Sequence, residues 1–518
     1  MKNILFAMLL LITLQVPAQN LIEREKIINP DDNELIGYGI SISQHENYLI
    51  IGNNTEKLDQ NGKKSIENAG AAYIYEKDNE GKWQFHQKIV GTHRHYNMKF
   101  GESVSIHGNT AVVGAHLHSY DSDGGNFLGQ AGAVYVFERS INGVWNQVQK
   151  IVPSDRGDSD DRFGYRIVLN ENDMLIGAVH HDELANGGAV YAFKKDSEGV
   201  WQETQILTVS DTDRGDKFGS SIAMGGNYAV IGAIDEGTDL IPFAGAAYVF
   251  KKDTNGVWNE VDKIIASDRK EKDYFGYAVG IDNDYIIVSA ISDTDEEPRE
   301  CSSFCQGSAY VFKNDGNDNW GEIQKLIPLD RGEEVNFGNS VVLKEDTIIV
   351  GAHKNGYDEA GENSVWQSGA AYVFEKSEND IWQQTQKVIA SDRSILDRFG
   401  TQVFIGNDEV YITAASHYSG AFYIFDMDNG LGLNKNSLED SIKIHPNPTS
   451  GNINIDFKKT FNNIKVKLTN SLGQNLLVKQ YESKQFINVD FVGPVGLYFI
   501  TVITDTGETS VFKVIKSH

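Results

Sequence analysis

Four short stretches carry the residue types from which binding or catalytic chemistry is built. In Tyr120–Asn126, Y-D-S-D-G-G-N, the oxygens of Asp121, Asp123 and Asn126 have the spacing of a calcium-wrapping turn, but no bidentate Glu completes the set. His180 and His181 in V-H-H-D-E-L, with His116, His118, His353 and His417 after similar apolar runs, would suit a transition metal if the fold made them converge. Their plainer reading is as solvated loop residues. D-R-G-D at Asp155–Asp158 and Asp213–Asp216 contains a triplet that adhesion receptors recognise. Yet S-D-R recurs at Ser267 and Ser391, and D-R-G-E at Asp330, so the triplet reads mainly as a by-product of repetition. The recurring Asp155, Asp211, Asp268, Asp330 and Asp392 are expected to cap a turn by accepting backbone N–H groups. Cys301 and Cys305 are spaced for a small-loop disulfide or for half a metal site, and no second pair exists. No nucleophile elbow, phosphate loop, H-E-x-x-H or zinc-finger spacing occurs, so no catalytic residue is assigned. No cofactor is expected, with calcium at Asp121, Asp123 and Asn126 as the weak alternative.

The elements that must position these residues repeat. Phe-Gly occurs at Phe100, Phe163, Phe218, Phe275, Phe337 and Phe399, with Ile36-Gly37 as a degenerate first copy, at spacings of 64, 63, 55, 57, 62 and 62 residues. Apolar residues four and six places after each Phe alternate with mostly small ones, which is the period of a strand. A short turn then leads to a second strand such as Y-A-V-I-G-A. A third strand carries Tyr73, Tyr135, Tyr191, Tyr248, Tyr310, Tyr372 or Tyr423, each with a Gly three residues before it and an aromatic two after. Ten residues after six of these tyrosines stand Trp83, Trp145, Trp201, Trp258, Trp320 and Trp382, opening a fourth strand that ends in Q-K-I or a relative. The constant step fixes a hairpin register.

Seven units of four antiparallel strands suit a β-propeller, because one such unit cannot bury both of its faces alone. The seventh copy lacks its Trp strand, and Leu21–Asp32 matches the missing piece with Leu21 in the Trp position. That N-terminal strand is expected to close the last blade and remove two open sheet edges. The expected architecture is thus all-β, a seven-bladed propeller over residues 19–427, then a linker over 428–440 and a small Ig-like β-sandwich over 441–518.

Bulk composition agrees with a secreted globular chain. The 518 residues carry a net charge of -27, from 73 acidic and 46 basic residues, which disfavours nucleic acid and anionic membranes as partners. Residues 1–18 read as a secretory leader: Lys2, an apolar run over 4–14 and a Val16-Pro17-Ala18 cleavage site. No segment qualifies as a transmembrane helix. The long second-to-third-strand connections hold most of the variety, and Phe243, Phe304 and Trp366 stand out there as binding-face candidates.

Phe-Gly followed by V-I-G-A and G-A-A-Y-V-F resembles the FG-GAP repeat of the integrin α-chain propeller, over residues 20–427. The integrin-type calcium loops between first and second strands have no counterpart in the short turns here. I-H-P-N-P-T-S-G from Ile444, L-G-Q from Leu472 and G-L-Y from Gly496 resemble the type A C-terminal sorting domain of the type IX (Por) secretion system. That resemblance implies export to the outer cell surface, with the segment 441–518 engaging the secretion machinery. The function expected is a binding or adhesion module for a protein or glycan ligand at the loop face. A propeller hydrolase or lyase acting on polysaccharide, or a structural surface-layer component, is the alternative. An enzyme would need acidic or basic side chains that break the repeat at matching depth in neighbouring blades.

Overall fold

The computed structural model describes residues 20–31, 37–157, 159–181, 187–209, 211, 213, 215–294, 306–330, 335–416, 420–428, 442–445, 449–470, 475–504 and 509–517. The expected leader, the linker beyond Asp428, Phe304, His417 and the Cys301/Cys305 pair lie outside the described residues. The chain divides into two compact units, one spanning Leu21–Met427 and the other containing the segment from Asp428 onward. Every described element is a strand, and among the described residues no helix is long and apolar enough to cross a membrane.

The first unit holds seven four-stranded sheets of the kind from which a β-propeller is built. We number them in chain order: sheet 1 spans Tyr38–Ile89, sheet 2 Val104–Ile151, sheet 3 Phe163–Leu207, sheet 4 Phe218–Ile264, sheet 5 Phe275–Leu326 and sheet 6 Phe337–Val388. Sheet 7 combines Phe399–Ile405, Glu409–Ala414 and Ala421–Asp428 with the N-terminal strand Asn20–Ile28, which lies beside Ala421–Asp428. Arg24 meets Asp426 there, as His86 meets Glu76 in sheet 1, so Asn20–Ile28 occupies the fourth-strand place. The first strands of successive sheets adjoin one another, and that of sheet 7 also adjoins that of sheet 1. The series therefore closes on itself.

The repeated letters have local causes. Phe275 opens the first strand of sheet 5 and packs edge-on against Tyr310 and Phe312 of the third strand, at centroid distances of 5.6 and 6.0 Å. These rings share a core with Val230, Val249 and Ile264 of sheet 4, so the aromatic positions fill the space between sheets. The two recurrent glycines meet at the crowded inner edge. A Cβ on Gly232 would stand 2.1 Å from the carbonyl oxygen of Gly276 in the next sheet, and Gly276 itself has φ +88°. The degenerate first Phe-Gly step is displaced from its expected place at Ile36-Gly37. Tyr38 pairs with Asn53 as Phe218 pairs with Ala233, and Gly39 (φ +91°) matches Gly219 (φ +92°). A tyrosine at the Phe position disguised the step.

The Gln of Q-K-I is a staple between sheets. Gln324 donates to the Trp382 carbonyl at 2.7 Å and accepts from the Trp382 N–H at 2.8 Å. Gln87 holds Trp145, Gln149 holds Trp201 and Gln205 holds Trp258 in the same two-bonded way. Gln386 does so with Leu21, which places Leu21 in the Trp position.

The second unit forms one five-stranded sheet of Ile442–His445, Asn452–Asn470, Asn475–Asp490, Gly496–Thr504 and Thr509–Lys516. Six or seven shorter strands were expected. The difference arises because Asn452–Asn470 runs on through a register shift between Asp456 and Phe461, where the sequence suggested a break. Ile453 and Ile455 before the shift and Ile464, Val466 and Leu468 after it share one core.

Candidate functional site: the loop face

The long second-to-third-strand loops emerge on the same side as the links between sheets, and each link is locked onto the next sheet by a polar cluster. At the sheet 5 junction Asp268 accepts from the Tyr310 hydroxyl at 2.8 Å and from Lys325 Nζ at 2.6 Å. Lys325 also pairs with Asp293 at 2.6 Å, and Asp293 is fully buried. Asp330 joins Tyr372 and Lys387 in the same way, Asp211 joins Tyr248 and Lys263, Asp31 joins Tyr73 and Lys88, and Asp392 joins Tyr423 and Lys26. Asp155 meets Tyr191 with His181 beside it. The expectation that these aspartates cap a turn through backbone N–H groups is thus corrected. Their acceptors are spent on a tyrosine of the third strand and, at most junctions, a lysine of the fourth, 30 or more residues away in sequence.

Burial pushes the Asp268 carboxyl up, but the bonds from Lys325 and Tyr310 outweigh it and hold the group below the ordinary carboxylate range. Burial likewise lowers Lys325, and its bonds to Asp268 and Asp293 more than restore it, leaving it raised.

The link arginines bind loop carbonyls. Arg156 donates to the carbonyls of Ser119 (3.1 Å) and Asn126 (3.2 Å), and Arg393 to those of Gly356 (3.3 Å) and Asn363 (2.9 Å). Arg156 of the first D-R-G-D is therefore tied to its neighbouring loop, a role the repeat demands. Asp158 and Arg214 of the two triplets lie outside the described residues.

The calcium candidates form a self-contained turn. Asp121 accepts from the N–H groups of Asp123 (3.1 Å), Gly125 (2.8 Å) and Asn126 (3.2 Å), and from Asn126 Nδ2 (2.6 Å). These donors, the Gly125 N–H first, hold its carboxyl below the usual range against a small burial effect. Asp358 and Asn363 repeat the turn in sheet 6. Among the described residues, no three His, Cys, Asp or Glu side chains are grouped to hold a metal ion. Of the candidate histidines, His116 and His118 follow the second strand of sheet 2, His180 and His181 that of sheet 3, and His353 that of sheet 6. His118 is fully buried against His95, 3.0 Å between ring nitrogens, and His180 faces Asp160. Burial pushes His116 down to about 4, His353 to about 3 and His118 to about 2, so all three are uncharged at neutral pH.

Several large apolar side chains are exposed on the loop face. Trp366 is 61% exposed and Phe243 41%, with Phe243 leaning on Tyr274 of the following link at 6.2 Å between ring centroids. Trp366 is joined by neighbours that sequence reasoning missed: Tyr357, Ile395 and Leu396, all exposed. The Leu396 N–H bonds the Trp366 carbonyl at 3.0 Å, stitching loop to link, and a cavity of about 450 Å³ beside them is lined by Val365, Ser394, Ile395 and Asp397. The available signal was S-I-L in the link after sheet 6, where other links carry polar residues.

A repeated four-stranded sheet with its variety gathered in loops on one side defines a propeller-like repeat protein. The family model for the FG-GAP repeat matches residues 83–137, 145–193, 201–250, 258–312 and 320–374, and the chain belongs to that family. Residues 443–517 match the secretion system C-terminal sorting domain, so the second unit is a type IX sorting tail. Comparison of the chain with curated proteins finds no match.

Proposed function

We propose that this protein is a seven-bladed β-propeller used as a binding or adhesion module on the outer cell surface, with residues 19–427 as the module. Residues 441–518, folded as a small Ig-like sandwich, would direct it through the type IX machinery after a leader of residues 1–18 has taken it to the periplasm. The observation that carries the reading is the apolar group of Trp366, Tyr357, Ile395 and Leu396 beside an open cavity, in loops that are otherwise polar. Large apolar groups that stay exposed on a rigid scaffold are what a partner's hot spot needs. Phe243 contributes at the edge of sheet 4.

A protein and glycan array probed with residues 20–428 tests the reading. Trp366→Ala is expected to weaken every hit at least about tenfold, with the melting temperature unchanged. A loss of stability with binding intact would make Trp366 a packing residue and remove the site from this loop. Deleting Ser441–His518 should leave a folded first unit that stays in the periplasm, and surface delivery of that truncated chain would refute the role given to the tail.

A further inference from the structure

At the inner end of the first strands, the residue after the Phe-Gly glycine is Ser220 in sheet 4, Asn339 in sheet 6 and Thr401 in sheet 7. Sheets 2, 3 and 5 put Glu102, Tyr165 and Tyr277 there instead. Because the first strands adjoin in a closed series, this position stands at the inner edge of every sheet. Burial above all raises the Tyr277 hydroxyl, and Tyr165, Arg166 and Glu102 of sheets 3 and 2 are near enough for their charges to add smaller effects.

The contacts are specific. The Arg166 guanidinium lies 4.7 Å over the Tyr165 ring and donates once, to the Tyr165 carbonyl at 3.0 Å. The His116 ring stands edge-on to Tyr165, 5.4 Å between centroids. Asn54 donates to Glu102 Oε2 at 2.6 Å. His116 is 7% exposed, and its Nδ1 has no hydrogen-bond partner. Among the described residues the Tyr165 hydroxyl, Glu102 Oε1 and the remaining Arg166 N–H groups make no bond either. These polar atoms are held in place by packing, yet none of the described residues bonds to them. Ser or Thr would serve the repeat at lower cost in side-chain entropy.

We propose that this inner cluster binds one acidic sugar unit, a uronate, through Arg166, Tyr165, Tyr277, Glu102 and His116. Arg166 presents a planar fork that matches a carboxylate, and it is already stacked, so little freedom is lost on binding. Two tyrosine rings suit the C–H face of a pyranose. Glu102 Oε1 and the uncharged His116 accept hydrogen bonds from sugar hydroxyls.

The test is calorimetric titration of the full chain with trigalacturonate, a sulfated galactose trisaccharide, cellotriose and a glutamate-rich peptide. Trigalacturonate alone should bind. Arg166→Gln should weaken it at least about tenfold, as expected for loss of a charge-assisted pair, with no change in melting temperature. Arg166→Lys, which keeps the charge and loses the fork, is the second variant and should bind more weakly than wild type. Trp366→Ala should leave trigalacturonate binding intact, which separates this site from the loop-face patch. Equal binding of cellotriose, a preference for the sulfated sugar or the peptide, absence of binding, or full affinity in both Arg166 variants would overturn the proposal.

Discussion

Replacing Lys325 with Met tests the junction chemistry most sharply, because it strands a carboxylate that has no route to water. Lys325 bridges Asp268, which is 40% exposed at its side chain, and Asp293, which is 0% exposed. In Lys325→Met, Asp268 can hydrate, whereas the fully buried Asp293 loses its lysine and retains the Ser308 and Tyr310 hydroxyls, at 2.5 and 3.3 Å. Leaving a buried charge unpaired costs about 3 to 5 kcal/mol. The first unit has roughly 400 residues, so its unfolding entropy makes about 3 kcal/mol worth a fall of some 3 to 4 °C in Tm. The pH dependence identifies the cause. In the wild type, Asp268 is lowered, so its contribution is present above the unfolded carboxylate pKa and is lost as pH falls through the folded value. Lys325 is raised, so its contribution is present below the unfolded lysine pKa and is lost as pH rises through the folded value. Acidification therefore weakens this junction in the wild type. The variant has already lost the Asp268 pair, so the gap between variant and wild type should narrow as pH falls through the carboxylate range. Calorimetry across that range, with Lys325→Met/Asp293→Asn regaining most of the loss, is the measurement. A cost below about 1 kcal/mol, the level of an exposed pair, or a gap that does not change with pH would refute the account.

Deleting Leu21–Pro30 should lower Tm by several degrees and promote aggregation, since sheet 7 loses its outer strand and exposes the edge of Ala421–Asp428; light scattering during a thermal ramp reads both. Gln324→Ala removes both bonds to the Trp382 backbone and should cost about 1 to 2 kcal/mol in urea unfolding, whereas Gln383→Ala on an outward position should cost almost nothing. His353 is lowered to about 3 by burial, so stability tied to its neutral form is present above the unfolded histidine pKa and is lost on acidification. Between pH 7.5 and 5 that loss is roughly 2 kcal/mol per buried histidine, and His353→Gln should flatten the pH profile of unfolding by about that amount.

The repeat was legible because its constraints are local or recur at fixed steps. The glycines of Phe-Gly and of V-I-G-A, the Tyr and aromatic pair and the Trp ten residues on each answer a steric demand that every sheet meets alike. Even the N-terminal strand was readable, since Leu21 and Lys26 keep the spacing of Trp83 and Lys88. What escaped the sequence joins different copies of the repeat. Asp268 and Lys325 are 57 residues apart, and nothing in either segment says that the carboxylate will meet a lysine of the next fourth strand rather than its own backbone. The group of Glu102, Tyr165 and Tyr277 was hidden for the same reason, because each alone looks like ordinary variation beside Phe-Gly. Trp366 was visible as an odd residue in a polar loop, but its companions Ile395 and Leu396 lie across a link whose path only the fold supplies.

Where the two ends of the first unit lie has a further consequence. Asn20 begins, and Asp428 ends, strands that in the other six sheets are joined by the short third-to-fourth turn. Both ends therefore leave from the side of the short turns, opposite the side from which Trp366 and the long loops project. The first unit thus has a built-in polarity, with its two chain ends on one side and its variable loops on the other. Held by its C-terminal end, it would present the variable loops away from whatever holds it, and a fusion or affinity tag at either end would leave that surface unobstructed.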